Sequence, residues 1–348
     1  MKTIHFGKST ISEKSPCYVI AEIGHNHQGS LETALKMIRA AASCGVQAVK
    51  FQKRDNKGLY TKAFYNKPYD NENSYGATYG EHREYLEFGR DAYIEMKKCA
   101  EESGVEFMAT AFDFKSVDFL EEIGVTSYKV ASGDITNIPL IEYIAKLGKP
   151  MFVSTGAAQF DEIRSAYKTI VAYHNNLCLL HCIAGYPAEY HDLNLRVIET
   201  LHREFPEAMI GYSGHDNGIL APVIAYMLGA TVVEKHFTMN HAWKGTDHKF
   251  SLEPEGMRKL IRDLRRVDIS LGSGKRIVYD FEIEARKKMG KGIYTSRPLP
   301  AGTIISWEDI CLKTPANGIP PYMAKGMIGR KLKTDLEEEA TVSPECFE

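Results

Sequence analysis

Between Cys17 and about Leu271, short β-rich apolar runs alternate with stretches of helical period, the pattern of repeated βα units around a parallel sheet. The runs are Cys17–Glu22, Ala48–Gln52, Glu106–Thr110, Ser127–Val130, Met151–Ser154, Leu177–Cys182, Met209–Ser213 and Thr231–His236. A helical pattern follows each, as in Leu31–Cys44, where Ala34, Leu35, Ile38, Ala41 and Ala42 recur on one face. Such a series of units predicts an α/β fold, a (β/α)8 TIM barrel rather than a doubly wound sheet. The second unit carries an insertion, Lys53 to Arg90, rich in Tyr, Asn, Gly and charged residues, which predicts a functional lid in preference to a plain solvated loop. Past Leu271 the pattern changes. Residues 272–291 read as a charged connector, and residues 292–348, with short apolar runs between Pro298, Pro300, Gly302, Gly318, Pro320 and Pro321, read as a separate small β-rich domain. The barrel domain is then residues 1–271. A core that small is marginal alone, so the second domain is expected to pack on the barrel or on a partner chain.

Composition narrows the function. Hydrophobic residues make up 44% and charged residues 25% of the chain, which is globular usage. The formal charge of -2, from 43 basic and 45 acidic residues, leaves no electrostatic footprint for nucleic acid or an anionic membrane, so anions must be captured locally. Residues Met1 to Ser15 lack an apolar core, and no run reaches the roughly 20 apolar residues that span a bilayer. The expected location is the cytoplasm. The seven cysteines are scattered without a Cys-x-x-Cys pair, which points to reduced thiols rather than a disulfide framework.

A TIM barrel places its chemistry at the C-terminal ends of its strands. Read there, the chain offers Glu22, Lys50, Gln52, Thr110, Lys129, Ser154, Cys182, Ser213, His215, Glu234 and His236. A single lysine in an apolar run is ordinarily half of a structural ion pair, but two lysines, several hydroxyls and two histidines converging on one mouth are not. Lys50 and Lys129 supply point charge, and Thr110, Ser132, Ser154 and Ser213 supply short neutral donors, a set suited to a ligand with a phosphate and a carboxylate. Gly133 and Gly156 would let the backbone approach an anion, although each tetrapeptide also reads as a plain strand-to-helix turn. His215 and His236 end neighbouring strands, with Glu22, Glu234 and Asp247 nearby. Two nitrogens with open positions suit Mn²⁺, Mg²⁺ or Co²⁺ acting as a Lewis acid, whereas a structural zinc site needs four ligands.

At these residues the sequence resembles the sialic acid (nonulosonate) synthase family over almost its whole length. The resemblance is carried by Ala-Glu-Ile-Gly-His-Asn-His-Gln-Gly-Ser from Ala21, Val-Lys-Phe-Gln from Val49, Tyr-Lys-Val-Ala-Ser-Gly-Asp from Tyr128 and Val-Ser-Thr-Gly from Val153. It continues in His-Cys-Ile-Ala-Gly-Tyr-Pro from His181, Gly-Tyr-Ser-Gly-His-Asp from Gly211, Glu-Lys-His-Phe-Thr from Glu234 and Thr-Asp-His-Lys-Phe-Ser-Leu-Glu-Pro from Thr246. The resemblance implies condensation of phosphoenolpyruvate with a sugar aldehyde. By position it puts phosphoenolpyruvate on Lys50, Thr110, Lys129, Ser132, Ser154 and Ser213, the metal, with Mn²⁺ foremost, on His215 and His236, and the acceptor sugar on Glu22, Gln52, Phe112, Tyr186 and Asp247. Glu22, Lys50, Lys129 and Asp247 are the implied catalytic residues, with Glu22 positioning the sugar or relaying a proton. The C-terminal segment resembles the family's antifreeze-like (SAF) domain, which implies a domain-swapped homodimer.

Two departures bear on the acceptor. Members acting on N-acetylmannosamine commonly carry a polar residue where this chain has Ala184, and an arginine followed by Pro-Gly where it has Thr314-Pro315-Ala316. The expected acceptor is therefore an unphosphorylated hexose of different substitution, with the Tyr-rich stretch Tyr65 to Tyr85 as a source of replacement contacts. The nearest alternative is a synthase of 3-deoxy-ulosonate phosphates, which would want a second phosphate site built from arginines, and the strand ends show none. A catalytically silent sugar-binding homologue is the other alternative, against which the full set of strand-end residues stands.

Overall fold

The computed structural model describes residues 2–348, and these divide into two compact units between Leu271 and Gly272. The first opens with a hairpin, β1 (Thr3–Phe6) and β2 (Ser9–Ser12), paired antiparallel with Ile4 opposite Ile11. Eight parallel strands follow: β3 (Tyr18–Gly24), β4 (Ala48–Lys53), β5 (Glu106–Ala111), β6 (Tyr128–Val130), β7 (Met151–Ser154), β8 (Leu177–Cys182), β9 (Met209–Gly214) and β10 (Val232–His236). They close a barrel in chain order, with β10 returning to pair with β3. The predicted TIM barrel is the observed fold.

Helices wrap this sheet because each presents one apolar stripe. In α1 (Leu31–Cys44), Ala34, Met37, Ile38, Ala41 and Cys44 are buried, the Ser30 hydroxyl accepts the Thr33 N–H at the N-terminus, and Gly45 ends the helix at φ 93°, a left-handed conformation natural to glycine. The Lys53–Arg90 insertion is more regular than the open loop its composition suggests. It holds three short helices, α2 (Asn56–Leu59), α3 (Lys62–Tyr65) and α4 (Tyr79–Tyr85), before α5 (Arg90–Glu102). Its aromatic residues pack on one another, Tyr79 against Tyr60, Phe64 and Tyr69, and Tyr75 stacked 4.9 Å from Tyr85. Thr78 and Glu81 close a capping box at the start of α4. The remaining helices of this unit are α6 (Phe114–Ile123), α7 (Ile138–Ala145), α8 (Phe160–Val171), α9 (Val197–Glu204), α10 (Leu220–Met227) and α11 (Pro254–Leu271).

The barrel interior is filled at its N-terminal end. Ile4, Phe6 and Ile11 of the hairpin join Ile20, Met108, Phe152, Leu180 and Val232 in one buried cluster, with the Phe6 ring 5.4 Å from that of Phe152. All polar chemistry is thereby left to the opposite mouth.

The first helix of the second unit is α12 (Asp280–Met289), which buries none of its side chains and lies within the stretch read as a charged connector. Beyond it, β11 (Gly292–Thr295) and β12 (Ile310–Lys313) pair antiparallel, and turns and single bridges enclose a core of Ile293, Leu299, Ile305, Met327, Leu332, Val342 and Phe347. All seven cysteines are free thiols, as expected.

Candidate active site

The C-terminal strand ends enclose a cavity of about 430 Å³. Every residue assigned above to phosphoenolpyruvate, the metal or the acceptor lines it, namely Glu22, Lys50, Gln52, Thr110, Phe112, Lys129, Ser132, Ser154, Tyr186, Ser213, His215, His236 and Asp247, whereas Gly156 and the tyrosines from Tyr65 to Tyr85 do not. Barrel register explains the convergence. Glu22 pairs with Lys50 across β3–β4, and Lys129 lies beside Thr110 on β5.

Lys50 sits between two buried carboxylates, its Nζ 2.9 Å from Glu22 and 3.4 Å from Glu234, and donates to the Thr110 hydroxyl at 3.1 Å. Lys129 donates to the Ser154 hydroxyl at 2.6 Å and the Val130 carbonyl at 3.1 Å. Ser213 donates to Glu234 at 3.0 Å, and the Ser132 hydroxyl accepts the Gly156 N–H at 3.0 Å. Gly156 is required sterically, since a Cβ there would meet the Ser132 oxygen at 2.8 Å.

Neighbouring charge separates these two buried acids. Burial raises the pKa of Glu22 in spite of Lys50, whereas at Glu234 the opposing charges of Lys50 and Lys129 overcome burial and hold the carboxyl below its ordinary range. Of the two, Glu22 is the carboxyl whose protonated form burial favours more, and Glu234 the one that the lysines hold as an anion. Lys50 is held above the ordinary lysine range by both carboxylates despite its burial, while burial lowers Lys129.

Burial likewise brings His215 and His236 down to about 4, which leaves both imidazoles neutral at pH 7. Their ring centres are 5.3 Å apart. His215 Nδ1 lies 2.9 Å from the Ile183 carbonyl and donates its proton there, which leaves the Nε2 lone pair available. Asp247 stands 3.7 Å from His236 Nδ1, an atom that is buried without a hydrogen-bond partner, as is Oε2 of Glu234. Among the described residues no three His, Cys, Asp or Glu side chains form a cluster ready to hold an ion. The donor set thus fits a cation held by two nitrogens and completed by substrate or water, and does not fit a closed structural site. Beneath the pair, Lys235 and Asp216, each next in sequence to one of these histidines, form a fully buried ion pair at 3.2 Å, and the Tyr212 hydroxyl donates to Asp216 at 2.6 Å.

Three titratable lining residues escaped the sequence reading: His25, just past β3, Arg54, one residue beyond β4, and Arg83 on α4. The strand ends themselves hold no arginine cluster, as expected; the two arginines reach the mouth from the segment after β4 and from α4. The available signals were the Gln52–Arg54 alternation, which returns to the same face, and Arg83 one helical turn after Tyr79.

A closed parallel barrel with lysines, carboxylates and neutral imidazoles gathered at its C-terminal rim defines a TIM-barrel enzyme. The chain belongs to the NeuB family, whose profile matches residues 37–276, and a SAF domain matches residues 290–348. It is 39% identical over 339 residues to the N-acetylneuraminate-9-phosphate synthase of Homo sapiens, covering 97% of this chain and 94% of that protein. Identity to the N,N'-diacetyllegionaminic acid synthase of Legionella pneumophila is 38% over 338 residues, 95% of each chain. The crystal structure of the N-acetylneuraminic acid synthetase of Leptospira borgpetersenii in complex with citrate superposes with a TM-score of 0.71 at 33% identity, over 83% of this chain and 97% of that one. This protein is accordingly a carbon–carbon bond-forming transferase of the nonulosonate-synthase kind.

Proposed function

We propose that the enzyme condenses phosphoenolpyruvate with the open-chain aldehyde of a hexose or aminohexose, giving a nonulosonate and inorganic phosphate. The observation that carries this reading is the convergence of Lys50, Lys129 and four hydroxyls with the His215–His236 pair on one cavity. Lys50, Lys129, Thr110, Ser132, Ser154 and Ser213 bind the phosphate and carboxylate of phosphoenolpyruvate and offset its charge. The π pair of its C2=C3 bond forms the new bond from C3 to the aldehyde carbon, whose oxygen takes up a proton. Water adds at C2, and phosphate leaves as C2 becomes the ketone.

Glu22, whose proton is favoured by burial, relays a proton at the acceptor, with Gln52 holding it through a 2.7 Å hydrogen bond. Asp247, Phe112 and Tyr186 position the sugar. His215 and His236 would hold a divalent cation, Mn²⁺ foremost, which when bound supplies Lewis acidity toward the aldehyde oxygen. The free thiols support a reducing, cytoplasmic setting, and no described helix is long and apolar enough to cross a membrane. A homodimer completes the reading, supported by the exposed apolar side chains Leu220, Ile224 and Met227 along α10.

The kinship leaves the acceptor's charge open, since one relative is named for a phosphorylated product and another for an unphosphorylated one. The test incubates the protein with phosphoenolpyruvate, Mn²⁺ and a panel of hexoses and follows phosphate release. Glu22→Gln and His236→Ala are expected to lower kcat by at least about 100-fold with the folded state retained, the range for general acid–base groups. Wild-type turnover in both variants would remove the assignment.

A further inference from the structure

Two guanidinium groups at the cavity mouth have no task in the reading above. Arg54 is 8% exposed and Arg83 half-buried, both line the cavity, and no carboxylate among the described residues forms an ion pair with either. Glu87 takes the backbone N–H of Arg54 at 3.4 Å, but its charge is committed to Lys53 at 3.2 Å. Arg54 donates through Nη2 to Gln52 at 2.7 Å and stacks 3.7 Å from the centre of the Phe112 ring. Arg83 donates through Nε and Nη2 to the Tyr79 hydroxyl at 3.0 and 2.9 Å.

Both remaining Nη1 atoms turn to one imidazole: Arg54 lies 3.2 Å from His25 Nε2 and Arg83 lies 3.1 Å from His25 Nδ1. Guanidinium has donors only, and a neutral imidazole has a single lone pair, so one of these contacts sets N–H against N–H. A buried and a half-buried like charge, with one donor unmet, call for an acceptor bearing negative charge. Gln52 fixes where that acceptor lies. It donates to Glu22 through one amide atom and accepts from Arg54 through the other, so Arg54 is tied to Gln52, a residue assigned to the acceptor, while Lys50 and Lys129 make their own hydrogen bonds to Thr110 and Ser154.

We propose that Arg54 and Arg83 bind a phosphate monoester carried by the acceptor sugar at the end remote from its aldehyde, so that the product is a phosphorylated nonulosonate. The inference rests on the condensation reading of the previous section and replaces the neutral acceptor expected from the sequence. The acceptor's phosphate passes through the reaction unchanged. Only the phosphate of phosphoenolpyruvate is released.

The test compares a hexosamine 6-phosphate with the same hexosamine lacking phosphate, each with phosphoenolpyruvate and Mn²⁺, with products read by mass spectrometry. Expected is a kcat/KM at least about 10-fold higher for the phosphorylated sugar, the effect of one hydrogen bond to a charged group. Arg83→Gln should lower the ratio of phosphorylated to neutral kcat/KM by about 10-fold or more, and Arg83→Lys, which keeps the charge but loses the fork, should restore part of it. Equal or better use of the neutral sugar, or a ratio unmoved in an Arg83→Gln protein of unchanged Tm, overturns the proposal and leaves the condensation reading standing. Consumption of phosphoenolpyruvate with neither sugar overturns both.

Discussion

His215 and His236 show how a single side chain inherits its chemistry from its surroundings. Each imidazole is held near pKa 4, chiefly by burial, against 6.5 in an exposed chain. Folded protein therefore binds fewer protons at these rings than unfolded protein, and the stability they contribute above pH 6.5 is lost as pH falls from 6.5 through about 4. The urea midpoint should decline over that window, and the decline should be shallower in His236→Gln. A pH-independent midpoint between 6.5 and 4.5 would show that the rings are not held neutral. The strand-end residues were legible because βα alternation dictates where each strand stops, so Lys50, Lys129, Ser213 and His236 could be placed without coordinates. Arg54, Arg83 and His25 were not, since their positions depend on how the chain turns after the strand, which no periodic pattern encodes. The partition of charge between Glu22 and Glu234 was also hidden, because it follows from distances to Lys50 and Lys129 rather than from residue type.

Among the elements, those with a buried stripe were read closely and those without one were missed. The Leu31–Cys44 helix was expected with the ends observed, although Met37 and Cys44 rather than Leu35 and Ala42 complete its buried face. The helix Asp280–Met289 buries nothing, so its sequence carried no amphipathic signal. The β1–β2 hairpin escaped for a different reason, since strands of four residues are too short to display alternation above noise. Its contribution is nonetheless large. Phe6 is 4% exposed and lies edge-on to Phe152 and Tyr18, at 5.4 and 5.6 Å. Phe6→Ala is expected to cost about 3–5 kcal/mol by urea denaturation, the usual range for emptying a buried aromatic site. A loss under about 1 kcal/mol would mean that the barrel floor closes without the ring.

For the molecule as a whole, a net charge of -2 coexists with a cavity that gathers Lys50, Lys129, Arg54 and Arg83 beside Glu22, Glu234 and Asp247, so the cations that the proposed anionic substrates need are local to one mouth. The proposed homodimer belongs to the same scale. Leu220, Ile224 and Met227 are 57%, 38% and 59% exposed at helical spacing on α10, an apolar stripe that a second copy would cover. Sedimentation equilibrium is expected to give twice the chain mass, and Leu220→Glu with Met227→Glu to shift it toward the monomer; a wild-type monomer would remove the homodimer from the reading. The packed hairpin beneath the barrel has a last consequence. With its base filled, the barrel opens at the C-terminal mouth, so on the proposed seating phosphoenolpyruvate against Lys129 and Ser154 would enter before a sugar resting on the exposed Tyr186.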